Sequence, residues 1–316
     1  MKVALVNPHW DFANSIYFGC REPHFPLELA YAKASLEVYG HEPLLLDGHL
    51  FGRDAASLAA EVAAFAPAFT VITTAPSYLF WRCAPPELRV PRAVVQALDG
   101  RGGKLIAVGP HGSVTPGATL RKLGVEAVIR GECEEAILGC AASGDVAGVP
   151  GAAYRDGDAL RLNGPNQATR FIDVPPLAWP DDWIARHRHH HHRFGQPQLG
   201  PGAEVEASRG CPYSCSFCAK IDYRDRYRRR DLDQLLPEID ALIAQGVTYL
   251  YFIDEIFLPQ RALLEALVGR DIVFGVQTRL DLWKPEMIEL LGKAGCVSIE
   301  AGVESLTEEG REALDK

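Results

Sequence analysis

Residues 3–141 repeat one unit, a short apolar run followed by a longer segment with helical start and stop signals. That rhythm restricts what the chain can fold into more than any other property. Val3–Val6, Pro43–Leu46, Phe69–Thr74, Leu105–Val108 and Val125–Ile129 read as strands. Runs this short and apolar suit strands covered on both faces. Leu27–Tyr39 reads as a helix stopped by Gly40, and Asp54 can cap an Ala-rich helix that ends before Pro67. Pro91–Leu98 carries proline in its first turn, Thr115-Pro116 opens a further helix, and Glu132–Leu138 has the acidic start that suits a helix dipole. Five βα units predict a doubly wound parallel α/β sheet, whose ligands bind at the carboxyl ends of the strands.

The loops after the strands therefore hold the candidate binding residues. They are Asn7-Pro8-His9-Trp10, Ala75-Pro76-Ser77, Val108 to Ser113 with Gly109, His111 and Gly112, and Gly131-Glu132-Cys133-Glu134-Glu135. No G-x-G-x-x-G follows the first strand, which argues against a dinucleotide domain. The βα rhythm stops after Ala141. Residues 1–143 are taken as the first domain and 144–203 as a linker. The linker opens on a hairpin, Ala152–Tyr154 and Ala159–Leu162, around Arg155-Asp-Gly-Asp. Its remainder is rich in Pro and Gly and contains His187-Arg-His-His-His-His192, which reads as a solvated loop. Residues 204–316 resume the alternation, with strands at Glu204–Ser208 and Tyr249–Ile253. Arg224–Arg230 holds five arginines and reads as a solvated approach to a helix.

Composition narrows the class. A net charge of −9 argues against a broad nucleic-acid footprint. No apolar run approaches the roughly 20 residues that span a bilayer, so no membrane partner is expected. Eight cysteines without an export signal point to the cytoplasm, where thiols stay reduced.

Three of those cysteines carry chemistry. Cys211, Cys215 and Cys218 lie within eight residues as Cys-x3-Cys-x2-Cys. Three thiolates can hold three corners of a cubane iron–sulfur cluster and leave one iron open. Zinc normally takes four ligands, and no second cysteine pair is present. The other five cysteines have no motif partners and read as small buried hydrophobes.

The run Arg209–Ala219, with the aromatic Phe217 before the third cysteine, resembles the cluster motif of the radical S-adenosylmethionine (SAM) enzymes. The resemblance implies a [4Fe-4S] cluster whose open iron chelates SAM and cleaves it to a 5′-deoxyadenosyl radical. It also implies a partial (β/α) barrel in residues 204–316 with four strands, the third at Phe274–Arg279 and the fourth within 296–304. Strand-end residues then become SAM candidates: Asp254 and Glu255, one of them near the amino group, and Gln277, Arg279 and Glu300 for ribose, carboxylate or substrate. The first domain looks like the cobalamin-binding domain that precedes many radical SAM domains. That likeness rests on the asparagine-proline after the first strand, the Gly-Pro-His after the fourth and Arg130-Gly-Glu-x-Glu after the fifth. It implies corrin contacts from Asn7, Pro8, Ser77, Gly109, His111, Gly131 and Glu132.

Asp47-Gly-His49-Leu-Phe-Gly52 matches D-x-H-x-x-G, by which methionine-synthase-like domains give a histidine to cobalt. There the motif follows the first strand, whereas here it follows the second. His49, His111 or no residue at all remain open as the cobalt ligand. The resemblance as a whole implies a cobalamin-dependent radical SAM enzyme, with a small-molecule substrate and an electron donor such as flavodoxin or ferredoxin. Methylation of an unactivated centre is the first expectation. Radical rearrangement and a non-catalytic cobalamin or iron–sulfur sensor are the alternatives. Family barrels have six strands, so this chain is expected to be C-terminally truncated.

Overall fold

A computed structural model of the chain describes residues 1–11, 22–77, 88–165, 175–187, 200–218, 220, 223–224 and 226–316. Its contacts divide it into two units, Met1–Arg170 with Asp222–Arg224, and Phe171–Ile221 with Asp225–Lys316.

In the first unit the five expected strands form as β1 (Lys2–Asn7), β2 (Glu42–Asp47), β3 (Phe69–Thr73), β4 (Lys104–Val108) and β5 (Ala127–Ile129). They are parallel, in the order β2-β1-β3-β4-β5. The pleat sends alternate residues to opposite faces, and both faces are apolar. Val3, Leu5 and Val71 pack under α1 (Leu27–Val38) and α7 (Glu134–Ser143). Ala4, Val6 and Ile72 pack under α3 (Ala55–Phe65), α4 (Arg89–Leu98) and α6 (Pro116–Leu123). Two short helices, α2 (Gly48–Phe51) and α5 (Pro110–Val114), follow β2 and β4. Asp54 caps α3 as expected, accepting from the Ser57 amide at 2.8 Å.

The hairpin read as the start of the linker belongs to this sheet. β6 (Ala152–Asp156) pairs antiparallel with β5, and β7 (Ala159–Leu162) pairs with β6, giving seven strands instead of five. Ala152 and Ala153 are fully buried, one in each core layer. The first unit thus runs past residue 143. The turn signal was legible, but nothing local in a hairpin says which sheet it will extend.

The second unit contains α8 (Asp181–Arg186), β8 (Gly202–Val205), β9 (Ser208–Arg209), β10 (Arg228–Arg229), α9 (Leu232–Ala244), β11 (Tyr249–Phe252), α10 (Arg261–Leu267), β12 (Val273–Thr278), α11 (Pro285–Lys293), β13 (Cys296–Ala301) and α12 (Glu308–Ala313). Four strands form a parallel sheet in the order β8-β11-β12-β13. Phe252, Phe257 and Phe274 pack with ring centroids 5.0 to 6.5 Å apart, and Trp283 stacks on Phe257 at 6.3 Å. Such pairs contribute about 0.5–1.5 kcal/mol each beyond their burial.

In the two stretches read as solvated, some of the described residues are paired or buried. Arg228 and Arg229 form a strand paired antiparallel with Ser208 and Arg209. Arg224 and Arg230 are buried, 3.2 Å from Glu28 and 2.6 Å from Glu238. A guanidinium tolerates burial only with such a partner. His187, the first residue of the histidine run, is likewise 1% exposed. Its Nε2 lies 3.1 Å from Glu204 on β8 and its Nδ1 2.7 Å from the Gly202 carbonyl. Residues 188–192 of the run lie outside the described residues. Among the described residues no helix is long and apolar enough to cross a membrane.

Candidate functional site

The cysteine loop begins where β9 ends, and its base is fastened from β11. The Asp254 carboxylate accepts the Ala207 amide at 2.9 Å and the Ser208 hydroxyl at 2.5 Å. Glu255 accepts the Gly210 amide at 2.8 Å. Gly210 itself has φ +78°, and a Cβ there would run into the Arg226 carbonyl. Glycine is therefore required immediately before Cys211. Between them, buried Arg209 places Nε and Nη2 on one oxygen of Glu206, at 3.0 and 2.8 Å.

Cys211 and Cys215 are half-buried and Cys218 is exposed. A turn closes the loop, with the Cys218 amide donating to the Cys215 carbonyl at 3.0 Å. Burial pushes the Cys211 thiol above its ordinary range, opposed in part by Lys220 and reinforced by Cys218 and Cys215. The thiols therefore sense one another. Among the described residues no three His, Cys, Asp or Glu side chains are already gathered at metal-binding spacing. The donor set nevertheless fits an iron–sulfur cluster: three free, soft thiols on one short loop, anchored at its base and open at Cys218. A bound cationic iron favours the thiolate form that mutual repulsion disfavours.

The strand-end residues divide in role. Asp254 is 1% exposed and each of its oxygens accepts a hydrogen bond from the stem of the loop, so it positions the loop. Burial holds its carboxyl well above the usual carboxylate range. Glu255 is 8% exposed and remains a candidate beside the loop. Arg279 lies with its guanidinium 4.3 Å from the Tyr213 ring centroid, within the cysteine loop, and grips Asp281 through two hydrogen bonds. Its neighbour Thr278 is fixed by the Phe257 carbonyl at 2.7 Å and by the Trp283 indole at 2.9 Å. Gln277 and Glu300 are opposite one another in the β12–β13 register, and Tyr251 donates to Glu300 at 3.2 Å. Phe217 is exposed on the loop, with Lys316 5.9 Å from its ring centroid. The Ser216 amide donates to the Leu314 carbonyl. Sequence reasoning missed Glu206, Ser208, Gly210 and Tyr213. Only the glycine before Cys211 carried a signal.

In the first unit the candidate corrin contacts do gather at the carboxyl edge of the sheet, at the ends of β1, β3, β4 and β5. Several are occupied in bracing the loops. The Asn7 amide oxygen accepts from Trp10 at 2.9 Å and from Thr73 at 3.2 Å. The Ser77 hydroxyl donates to Glu28 at 2.5 Å and accepts the Leu27 amide. Pro8 and Glu132 are buried, and Gly131 donates its amide to Ser113. Gly109 and Gly131 adopt φ +115° and +76°, conformations that suit glycine in loops closing on a ligand. His111 begins the turn after Gly109 and is partly exposed. Gly112 serves packing instead, since a Cβ there would meet Val128 at 3.1 Å.

Residues 205–316 match the Radical SAM superfamily. An uncharacterised methyltransferase of Pyrococcus horikoshii is 24% identical over 318 residues, which cover 96% of this chain and 66% of that protein. Among solved structures, the radical SAM methyltransferase TsrM of Kitasatospora setae, with tryptophan and a SAM analogue bound, superposes with a TM-score of 0.74 at 21% identity. That match covers 98% of this chain and 60% of TsrM. The cobalamin-dependent SAM radical enzyme OxsB, with aqua-cobalamin and SAM bound, gives 0.78 at 18% identity, covering 99% of this chain and 45% of OxsB. The chain thus spans between 45% and 66% of the length of these relatives.

Proposed function

We propose, from the match of residues 205–316 to the Radical SAM superfamily, that the chain carries the cofactor-binding part of a cobalamin-dependent radical SAM enzyme that methylates a small molecule. The observation that carries this reading is the Cys211–Cys215–Cys218 loop, anchored by Asp254 and Glu255 at the carboxyl end of a parallel sheet. Ligands of such sheets bind at that end.

Cys211, Cys215 and Cys218 hold the cluster through their thiolates. Asp254, through Ala207 and Ser208, and Glu255, through Gly210, fix the stem from which the loop projects. Arg279 braces the loop at Tyr213 and adds positive charge beside the Cys215 thiol. Gln277 and Glu300 offer polar groups to the ribose or carboxylate of SAM. The carboxyl-edge loops of the first unit, at His9, Gly109, His111 and Gly131, receive the corrin. When bound, the cluster supplies the electron that cleaves SAM, and cobalamin supplies the methyl group. An external donor such as a flavodoxin or ferredoxin supplies the electron to the cluster.

The test is metal content after anaerobic purification with cobalamin supplied, wild type beside Cys215→Ala. The reading expects about four irons per chain, lost in the variant, together with cobalt. It also expects formation of 5′-deoxyadenosine or S-adenosylhomocysteine from SAM, and a product bearing a methyl group. Zinc in place of iron after reconstitution overturns the radical chemistry. Iron without cobalt removes cobalamin, and a product with no added methyl removes the transfer.

A further inference from the structure

Three histidines stand after strands of the first unit: His9 after β1, His49 in α2 after β2, and His111 in α5 after β4. The strand order decides among them. In a sheet of order β2-β1-β3-β4-β5, the chain leaves β1 toward one edge and β3 toward the other. The loops after β1 and β3 diverge and leave a crevice at the carboxyl edge, the switch point where ligands of such sheets bind. His9 lies on one of those two loops. His49 follows the edge strand, and His111 follows a strand beyond β3. A cavity of about 880 Å³ opens beside the loop after β1, lined by His9, Trp10 and Asp11, by Gly52 and Asp54 between α2 and α3, and by Arg92 of α4. That volume lies in the range of about 300–1,000 Å³ typical of ligand pockets.

The imidazole of His9 is oriented by one backbone contact. Its Nδ1 is 3.2 Å from the Gly48 carbonyl oxygen. A carbonyl only accepts, so this contact is a hydrogen bond when Nδ1 carries the hydrogen, which leaves Nε2 as the metal-binding nitrogen. Metal-ligating histidines are oriented in this manner, by a hydrogen bond from the other ring nitrogen. Gly48 is needed for the approach, because a Cβ there would lie 2.8 Å from the His9 amide nitrogen and 2.9 Å from the Arg53 carbonyl oxygen. Trp10 and Thr73 lock Asn7, so the backbone leading into His9 is fixed. His49 flanks the ring at 5.7 Å between centroids.

We propose that His9, rather than His49 or His111, is the axial nitrogen donor to the cobalt of a corrinoid bound at this edge, an inference that rests on the cobalamin reading above. The Nε2 lone pair forms the bond to cobalt and displaces the water or corrinoid base on that face. No electron is transferred.

The test uses the full, untagged chain in imidazole-free buffer, loaded with cobinamide. Cobinamide lacks the nucleotide base, so any nitrogen on cobalt comes from the protein. After reduction to cobalt(II), electron paramagnetic resonance is expected to show each cobalt line split into a triplet by one nitrogen. The triplet should become a doublet in chain labelled with ¹⁵N-histidine. His9→Asn keeps a side-chain N–H in reach of the Gly48 carbonyl and removes Nε2, so it should fold, retain cobinamide and lose the splitting. His49→Ala and His111→Ala should keep it. The inference is overturned if cobinamide is retained without nitrogen splitting, or if the splitting survives His9→Asn. Cobinamide lost on gel filtration from the wild type overturns the cobalamin reading and this inference together.

Discussion

The Ser208 hydroxyl sits 2.5 Å from Asp254 Oδ2, which ties the strand leading into the cysteine loop to the end of the neighbouring barrel strand. This carboxyl group is buried, and burial is the chief reason its pKa stands well above the usual value, with Glu206 and Glu255 adding to the rise. The folded state therefore keeps the proton to higher pH than the unfolded chain does. Stability from this group is fully present below about pH 4 and is lost as pH rises through the folded pKa. Asp254→Asn retains an acceptor for the Ala207 amide and gains a donor for Ser208, but does not titrate. Its unfolding free energy, read by urea titration, should rise relative to wild type between pH 4 and 7, by roughly 1 kcal/mol per pH unit until the folded pKa is passed. Parallel free energies across that range would count against a protonated Asp254.

Gly210→Ala combines a left-handed backbone at φ +78° with a collision against the Arg226 carbonyl. The loop stem must shift, and the amide that Glu255 holds shifts with it. The expected result is iron content reduced by more than half after reconstitution, while the far-ultraviolet circular dichroism of the chain stays near wild type. Full iron loading in this variant would show that the stem geometry is not limiting.

Arg279→Lys keeps a charge but removes the planar stack on Tyr213 and the two-bond grip on Asp281. These two groups are not equivalent at a stacked site. SAM affinity, read by equilibrium dialysis on the cluster-loaded chain, should weaken about tenfold, equivalent to about 1.4 kcal/mol, and further with Arg279→Ala. An unchanged affinity in both would confine Arg279 to surface pairing.

His187→Gln breaks a pair buried to 1% exposure on both sides. Leaving a buried group without its hydrogen-bond partner costs about 1–3 kcal/mol, more for a charged group, whereas replacing both partners by apolar residues can be close to neutral. The single variant should unfold at a clearly lower urea concentration, and His187→Leu with Glu204→Leu should recover most of the loss.

Local signals carried much of this architecture. The five parallel strands of the first unit, the Asp54 cap and the four barrel strands follow from short apolar runs and turn residues, which act over a few positions. The cysteine spacing was legible because its chemistry is packed into eight residues. What the sequence hid were pairings between distant positions: β6 with β5, Arg224 with Glu28, His187 with Glu204, and Asp254 with Ser208. A charged or polar residue reads as exposed until its partner is known, and partners 17 to 196 residues away leave no local trace. The bonds from Asp254 to Ala207 and Ser208 were hidden for that reason, since they join positions 47 and 46 residues apart.

The antiparallel hairpin also has a practical consequence. β6 starts beside Ile129, at the carboxyl end of β5, and runs back past Ala127, so Gly157 in its turn comes out at the opposite rim of the sheet. β7 is exposed along its whole length, and Gly157 has open space around its α-carbon. A tether grafted at the exposed Asp158 beside Gly157 would anchor the first unit to a support or a fluorophore from behind, leaving the rim with His9, Gly109 and Gly131 turned outward.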